Sequence, residues 1–313
     1  MPPMANSFQL PDLRSFCQPY FELRVNPRCR NATTLSERWI MDSGFVQRSQ
    51  RPRLRAAKPG LLAAVCYPTC DLGQLRFITD FMTLLMFETK SMQLSSQLWQ
   101  RVLHFRNPYW HARFQEHLHG FHEAHAQIAR DREYNAVPDL ESYIDLRRYS
   151  SGLEMAFDLI EYAEGLKLPE FVFDDPVVQE LRQNAIDIVS WSTDIFSYST
   201  DQSHNSSHNL VSILMSERRL TLQGAVNYAG TLVKSYIETF IENESELPSW
   251  GDPRIDEDVR LYVRGLRDWT VGSIHWAFET EWYFGQNAEE VRTFGWVFLA
   301  SSEKAKAQEK HNN

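Results

Sequence analysis

The chain has 313 residues, 43% of them hydrophobic and 13% aromatic, and its 32 basic and 41 acidic residues leave a net charge of −9. That length and apolar content suffice for a large core, in one big domain or two small ones. The acidic balance, with no long basic run, argues against nucleic acid and anionic membrane as main partners. The N-terminus MPPMANSFQLPDL lacks the basic and apolar regions of a signal peptide. Pro2, Pro3, Pro11, Pro19 and Pro27 make residues 1–30 read as an irregular arm. Residues 31–299 read as helical nearly throughout, and the polar tail 300–313 reads as disordered. In order, residues 33–45 start on a Thr cap signal and end near Gly44, and the basic, Pro/Gly-punctuated stretch 46–60 reads as a loop. Residues 73–90 follow, with Phe77, Phe81, Leu84, Leu85 and Phe87 at helical spacing. Two helical stretches in 93–130 break around Asn107-Pro108, and helices are expected over 138–166, 175–200, 207–218, 220–245 and 254–284.

Few windows alternate with period two, so the expected class is all-α. A helical domain of this size has room for a central apolar cavity. No apolar run approaches the ~20 residues of a membrane helix. Cys17, Cys29, Cys66 and Cys70 lack the second pair or nearby His of a zinc site and read as free thiols of a reducing compartment. A soluble, cytoplasmic protein is the default reading.

The segment Ser192–Leu210, STDIFSYSTDQSHNSSHNL, places Thr193, Ser197 and Asp201 at i, i+4 and i+8. On a helix that spacing stacks three oxygen side chains on one face, over about 12 Å. Oxygen ligands with one carboxylate suit Mg²⁺, which keeps waters and shares phosphate oxygens. An N-cap followed by a polar helix face is the plainer reading of the same residues. Nineteen Phe, twelve Tyr and nine Trp fit either an aromatic-lined cavity or a generic large core.

The same segment resembles the second metal motif of class I terpene synthases, of the fungal sesquiterpene synthase type. Asp194 and Ser197 match that motif, with Thr193 in place of Asn and Asp201 in place of Glu; Gln202, His208 and Asn209 also fit the fungal version. The stretch 75–93, LRFITDFMTLLMFETKSMQ, is similar to the helix that leads into the family's Asp-rich motif, but Glu88 is the only carboxylate left there. YIDLRRYSSG at 143–152 resembles the family's diphosphate-sensing segment, and Arg147 lies 46 residues before Thr193, the family's spacing, with Arg148 as the fallback. WAFETEWYFG at 276–285 resembles the family's WSFETERYFG, with Trp282 in place of its Arg.

The resemblance covers roughly residues 25–286. It implies a single-domain helical bundle that ionises farnesyl diphosphate with Mg²⁺ and cyclises the cation, and the depleted motifs suggest a humulene-type product. Glu88, Thr193, Ser197 and Asp201 are then the expected metal ligands, and Arg147, Trp282 and Tyr283 the residues at the diphosphate end. Phe77, Phe81, Trp191, Phe196 and Trp276 are candidate cavity liners, with ordinary core packing as the alternative for each. His208 reads as a packed or capping residue. The expected partner is a small prenyl diphosphate, and a homodimer is left open. An inactive prenyl-binding or protein-binding member of the fold, or an enzyme acting on another prenyl diphosphate, are the rival readings.

Overall fold

Three long helices begin on one local signal, an Asn or Asp N-cap followed by Pro at the first helical position. Asn107 caps Pro108–Tyr134, Asp175 caps Pro176–Ser203 and Asp252 caps Pro253–Glu279, each side chain accepting from a backbone N–H of the first turn. The carboxylate or amide satisfies an orphan donor, and the missing Pro N–H costs nothing there. The computed structural model describes residues 6–87, 101, 105, 107–204 and 206–299. Glu88, most of 93–106 and the tail 300–313 lie outside the described residues.

The helices are α1 (Leu13–Cys17), α2 (Cys29–Ser43), α3 (Arg51–Ala57), α4 (Pro59–Cys66), α5 (Leu72–Phe87), α6 (Pro108–Tyr134), α7 (Leu140–Ser150), α8 (Leu153–Glu164), α9 (Glu170–Phe173), α10 (Pro176–Ser203), α11 (Leu210–Glu217), α12 (Leu222–Ser245), α13 (Pro253–Glu279) and α14 (Ala288–Phe294). The all-helical class is as expected. Two expectations need correction. The stretch 46–60 is not a loop: it holds α3 and the start of α4. The N-terminal arm is not wholly irregular, because β1 (Ser7–Gln9) pairs antiparallel with β2 (Trp296–Phe298) and buries Phe8 against the core.

Helix α10 is the centre of the bundle. It packs against α12 and α13, while α4 lies on both α13 and α5. Every residue of α10 from Asn184 to Ser192 is buried, the state expected of a helix enclosed on all sides. The segment expected as one helix over 138–166 is two, α7 and α8, divided at Gly152. That residue has φ +71°, and a Cβ there would lie 2.8 Å from Leu85 of α5. Only glycine meets both demands, and the break sets the end of α7, with Arg147, beside α10.

Charge is also buried in the core, and it makes stability pH-dependent. Arg113 and His117 of α6 and Arg182 of α10 face Asp158 and Glu161 of α8, with Arg113 Nε 3.0 Å and His117 Nδ1 2.6 Å from Asp158. Burial alone would raise Asp158, but His117, Arg113 and Arg182 outweigh it and hold the carboxyl at about 2. For Glu161 burial wins over Arg113, and its pKa is pushed up to about 7; its Oε1 has no hydrogen-bond partner. Between the ordinary value of 4.5 and about 7, the native state holds a proton on Glu161 that the unfolded chain has released. Stability therefore falls as pH rises through that window. Glu161→Gln, which cannot ionise, should flatten this fall in urea-denaturation midpoints measured across the window. A wild-type slope in the variant would show that Glu161 is not the titrating group.

Candidate active site

Asp194 of α10 is the hub of the polar end. It is 2% exposed and accepts from Arg147 Nε at 2.9 Å, from the Tyr143 hydroxyl, and from the backbone N–H of Leu210 at 3.0 Å. Burial alone would lower the Arg147 guanidinium, but Asp194 and Tyr143 outweigh it and hold it charged. Burial, reinforced by Asp194, pushes the Tyr143 phenol far up, so it stays a donor.

One turn further along α10, Ser197 Oγ donates to Asp201 Oδ2 at 2.6 Å. Asn209 N-caps α11 through its carbonyl while its amide reaches Asp201 Oδ2 at 2.9 Å, Ser197 Oγ at 3.3 Å and the Asp194 carbonyl at 2.8 Å. Burial raises the Asp201 pKa, partly offset by Ser197 and Asn209. The cap residue of one helix thus fixes the last turn of its neighbour.

These residues line a polar basin of about 710 Å³. Its walls carry Arg147, Asp194, Ser197 and Asp201 on one side and His122, His125 and Arg132 of α6 on the other. His208 closes an edge, with Nε2 2.9 Å from Asp131. A second, mostly apolar pocket of about 230 Å³ lies among α4, α5, α10 and α13; Met82, Leu85, Thr193, Phe196, Trp276 and Tyr283 are among its liners. Arg147 and Trp282 are the two residues common to both walls. The molecule therefore joins a compartment lined by charged and polar groups to a mostly apolar one across a guanidinium and an indole. Such convergence of an apolar pocket with a few oriented polar groups is the usual form of a ligand site.

The expected residues divide as follows. Ser197 and Asp201 face the basin together, but Thr193, one turn earlier, faces the apolar pocket beside Tyr283. Burial raises the Tyr283 phenol, and Thr193 offsets this in part. Phe196 and Trp276 line the pocket. Phe77, Phe81 and Trp191 are not among its liners. Phe77 packs on Tyr162, Phe81 on Phe114, and Trp191 behind Tyr143. Arg148, the fallback, lines neither compartment: its Nε (2.9 Å) and Nη2 (2.8 Å) are bound to the buried Asp187. Glu88 lies outside the described residues. All four cysteines are free thiols.

Asp194 carries no role in the sequence beyond its motif match, and the α6 wall has no counterpart in the expected site. His122, His125, Ala129 and Arg132 recur at i, i+3, i+7 and i+10, a helical stripe that could have been found. Among the described residues no group of three or more His, Cys, Asp or Glu could hold a metal ion alone. The donors present are still of the right kind. Asp201 and Ser197 present oxygen donors at the basin wall, and Asp201 Oδ1 has no hydrogen bond among the described residues. Mg²⁺ needs only one or two carboxylates when phosphate and water complete its shell.

The family model for terpene synthase family 2, C-terminal metal binding, matches residues 86–239. The chain is similar to Sesquiterpene synthase 6 of Postia placenta, 38% identical over 91% of this chain and 93% of that one. It is also 37% identical to Alpha-muurolene synthase of Coprinopsis cinerea, over 91% and 76% of the two chains. Solved structures share the fold at lower identity. Hedycaryol synthase in complex with nerolidol superposes with a TM-score of 0.73 at 24% identity, over 86% of this chain and 100% of that one; a-eudesmol synthase gives 0.73 at 19%, over 83% and 97%. The chain belongs to the class I terpene synthase family, with the fungal sesquiterpene synthases, and is a terpene cyclase. No helix among the described residues is long and apolar enough to cross a membrane.

Proposed function

We propose that this cyclase acts on farnesyl diphosphate with Mg²⁺, releasing diphosphate and a sesquiterpene hydrocarbon. The observation that carries the reading is the meeting of the polar basin and the apolar pocket at Arg147 and Trp282. A prenyl diphosphate has the same two parts. Its diphosphate fits the basin, where Arg147 offers a permanent charge and planar donors. Its isoprenoid chain fits among Met82, Leu85, Phe196 and Trp276.

Asp201 and Ser197 would hold the divalent cation, together with phosphate oxygens and water. When bound, that ion neutralises the departing diphosphate as a Lewis acid. Arg147 shares this load, because the allylic C–O bond breaks with its electron pair leaving on diphosphate. The cation left behind sits beside the faces of Phe196, Trp276, Tyr283 and Trp282, each contact contributing up to about 2 kcal/mol when desolvated. Proton loss from the cyclised cation then gives the hydrocarbon. A humulene-type monocyclic product rests on the depleted motifs alone.

A second reading, binding without turnover, draws on one observation. Asp194 is already neutralised by Arg147, which leaves Asp201 as the carboxylate of the described wall with an unengaged oxygen. Incubation with farnesyl and geranylgeranyl diphosphates, with and without Mg²⁺, separates the readings. Volatile C15 hydrocarbon and diphosphate release, both dependent on Mg²⁺, are expected. Saturable binding with no release would establish the inactive reading, and turnover of the longer substrate alone would move the assignment to that substrate.

A further inference from the structure

Helix α3 grips the segment that carries Trp282. The Ala56 carbonyl accepts from the Thr280 hydroxyl at 2.7 Å and from the Glu281 N–H at 3.1 Å. The Ala57 carbonyl accepts from Trp276 Nε1 at 3.0 Å, and Lys58 Nζ donates to the Glu279 carbonyl at 2.5 Å. These bonds take the chain as it leaves α13 and set its path along the wall of the apolar pocket, where Trp282 and Tyr283 lie.

One side chain of α3 reaches the indole itself. Arg51 and Arg55 are both bound to Glu37. Arg53, between them, has no ion pair among the described residues. Its guanidinium lies 4.7 Å from the Trp282 ring centroid and 5.6 Å from that of Phe87, while the two rings meet edge-on at 5.5 Å. A guanidinium is weakly hydrated and planar, and tryptophan is the ring it stacks on best. Three separate parts of the chain, α3, the end of α5 and the segment after α13, therefore converge on Trp282, one of the two residues shared by the compartments.

We propose that Arg53 is a positioning residue for the cyclisation: it holds the Trp282 indole as the partition that keeps basin water out of the apolar pocket. The inference rests on the cyclase reading above and assigns a role to a residue that reading does not use. Its consequence is chemical. The cation formed after C–O cleavage ends either by losing a proton, which gives a hydrocarbon, or by accepting a water oxygen and then losing a proton from it, which gives an alcohol. Exclusion of water favours the first outcome.

The test compares Arg53→Ala, Arg53→Met and Arg53→Lys with wild type. The full-length enzymes are given farnesyl diphosphate and Mg²⁺, and the ratio of prenyl alcohol to hydrocarbon is measured by gas chromatography. Backbone hydrogen exchange at 281–284 is followed in parallel without substrate. Ala and Met should raise the alcohol fraction roughly ten-fold and accelerate exchange, with the melting temperature little changed. Met keeps the apolar stem without the charge, so it separates packing from cation–π contact; Lys, which keeps the charge without the planar fork, should restore both readouts in part. A wild-type alcohol fraction in folded Arg53→Ala overturns the proposal. If wild type forms no product from either diphosphate, the cyclase reading fails instead, and unchanged exchange in Arg53→Ala would then overturn the partition by itself.

Discussion

Asp194→Ala should be the most damaging single change at the site, lowering folding stability by about 3–5 kcal/mol. The loss comes from what is left behind. Arg147, whose side chain is only 16% exposed, would keep its charge with no partner, and the Tyr143 hydroxyl and Leu210 N–H would lose their acceptor. A loss of that size is a large share of the 5–15 kcal/mol that holds a typical domain together. Asp194→Asn keeps an acceptor in place and should lose less. Urea denaturation of the two variants checks this, and an Asp194→Ala loss within about 1 kcal/mol would mean that the pair contributes no more than an exposed ion pair. The same bond complicates Arg147→Ala as a test of catalysis. Removing Arg147 leaves Asp194 buried and unpaired, so reduced turnover would mix an altered fold with a missing diphosphate contact.

Asp201→Asn should separate the two effects, reducing turnover by roughly 10²–10³-fold with stability unchanged or slightly increased. The amide oxygen can still accept from Ser197 and Asn209. Burial already raises the Asp201 pKa, so its charge is unfavourable in the native state at neutral pH. Removing that charge relieves a cost while deleting the wall's available carboxylate. Steady-state kinetics beside thermal melting is the measurement. Activity within a factor of two to three of wild type, in a folded variant, would remove Asp201 from the proposed metal set.

The helices were legible because their signals are local. The apolar spacing in 73–90 and the Pro and Gly breaks act within one or two turns of chain. The i, i+4 pairing of Ser197 with Asp201 was legible for the same reason, since helix geometry alone places them together. Arg147 was legible through a resemblance, by its 46-residue distance from Thr193, and not through any property of the pair Arg147-Arg148. Only the packing of α7 on α10 shows that Arg147 meets Asp194 while Arg148 meets Asp187.

The aromatic residues show the limit most clearly. Phe77, Phe81, Trp191, Phe196 and Trp276 all sit on apolar helix faces, and periodicity treats them alike. Whether such a face meets a neighbouring helix or an opening depends on what crosses it. Phe114 and Tyr162 cover the first two, Tyr143 covers the third, and the last two border the pocket. Arg53 gave no sequence signal at all, because its ring partner Trp282 lies more than two hundred residues away and short polar stretches such as 46–60 resemble loops. By itself, then, the sequence determined the helical class, the family and one turn of oxygen-bearing side chains, all of which follow from contacts close in the chain or from resemblance. The tertiary structure decided which charges are spent on each other, which rings face the cavity and what holds the indole at its wall. Those outcomes depend on helix packing between distant segments, where burial and pairing are settled together.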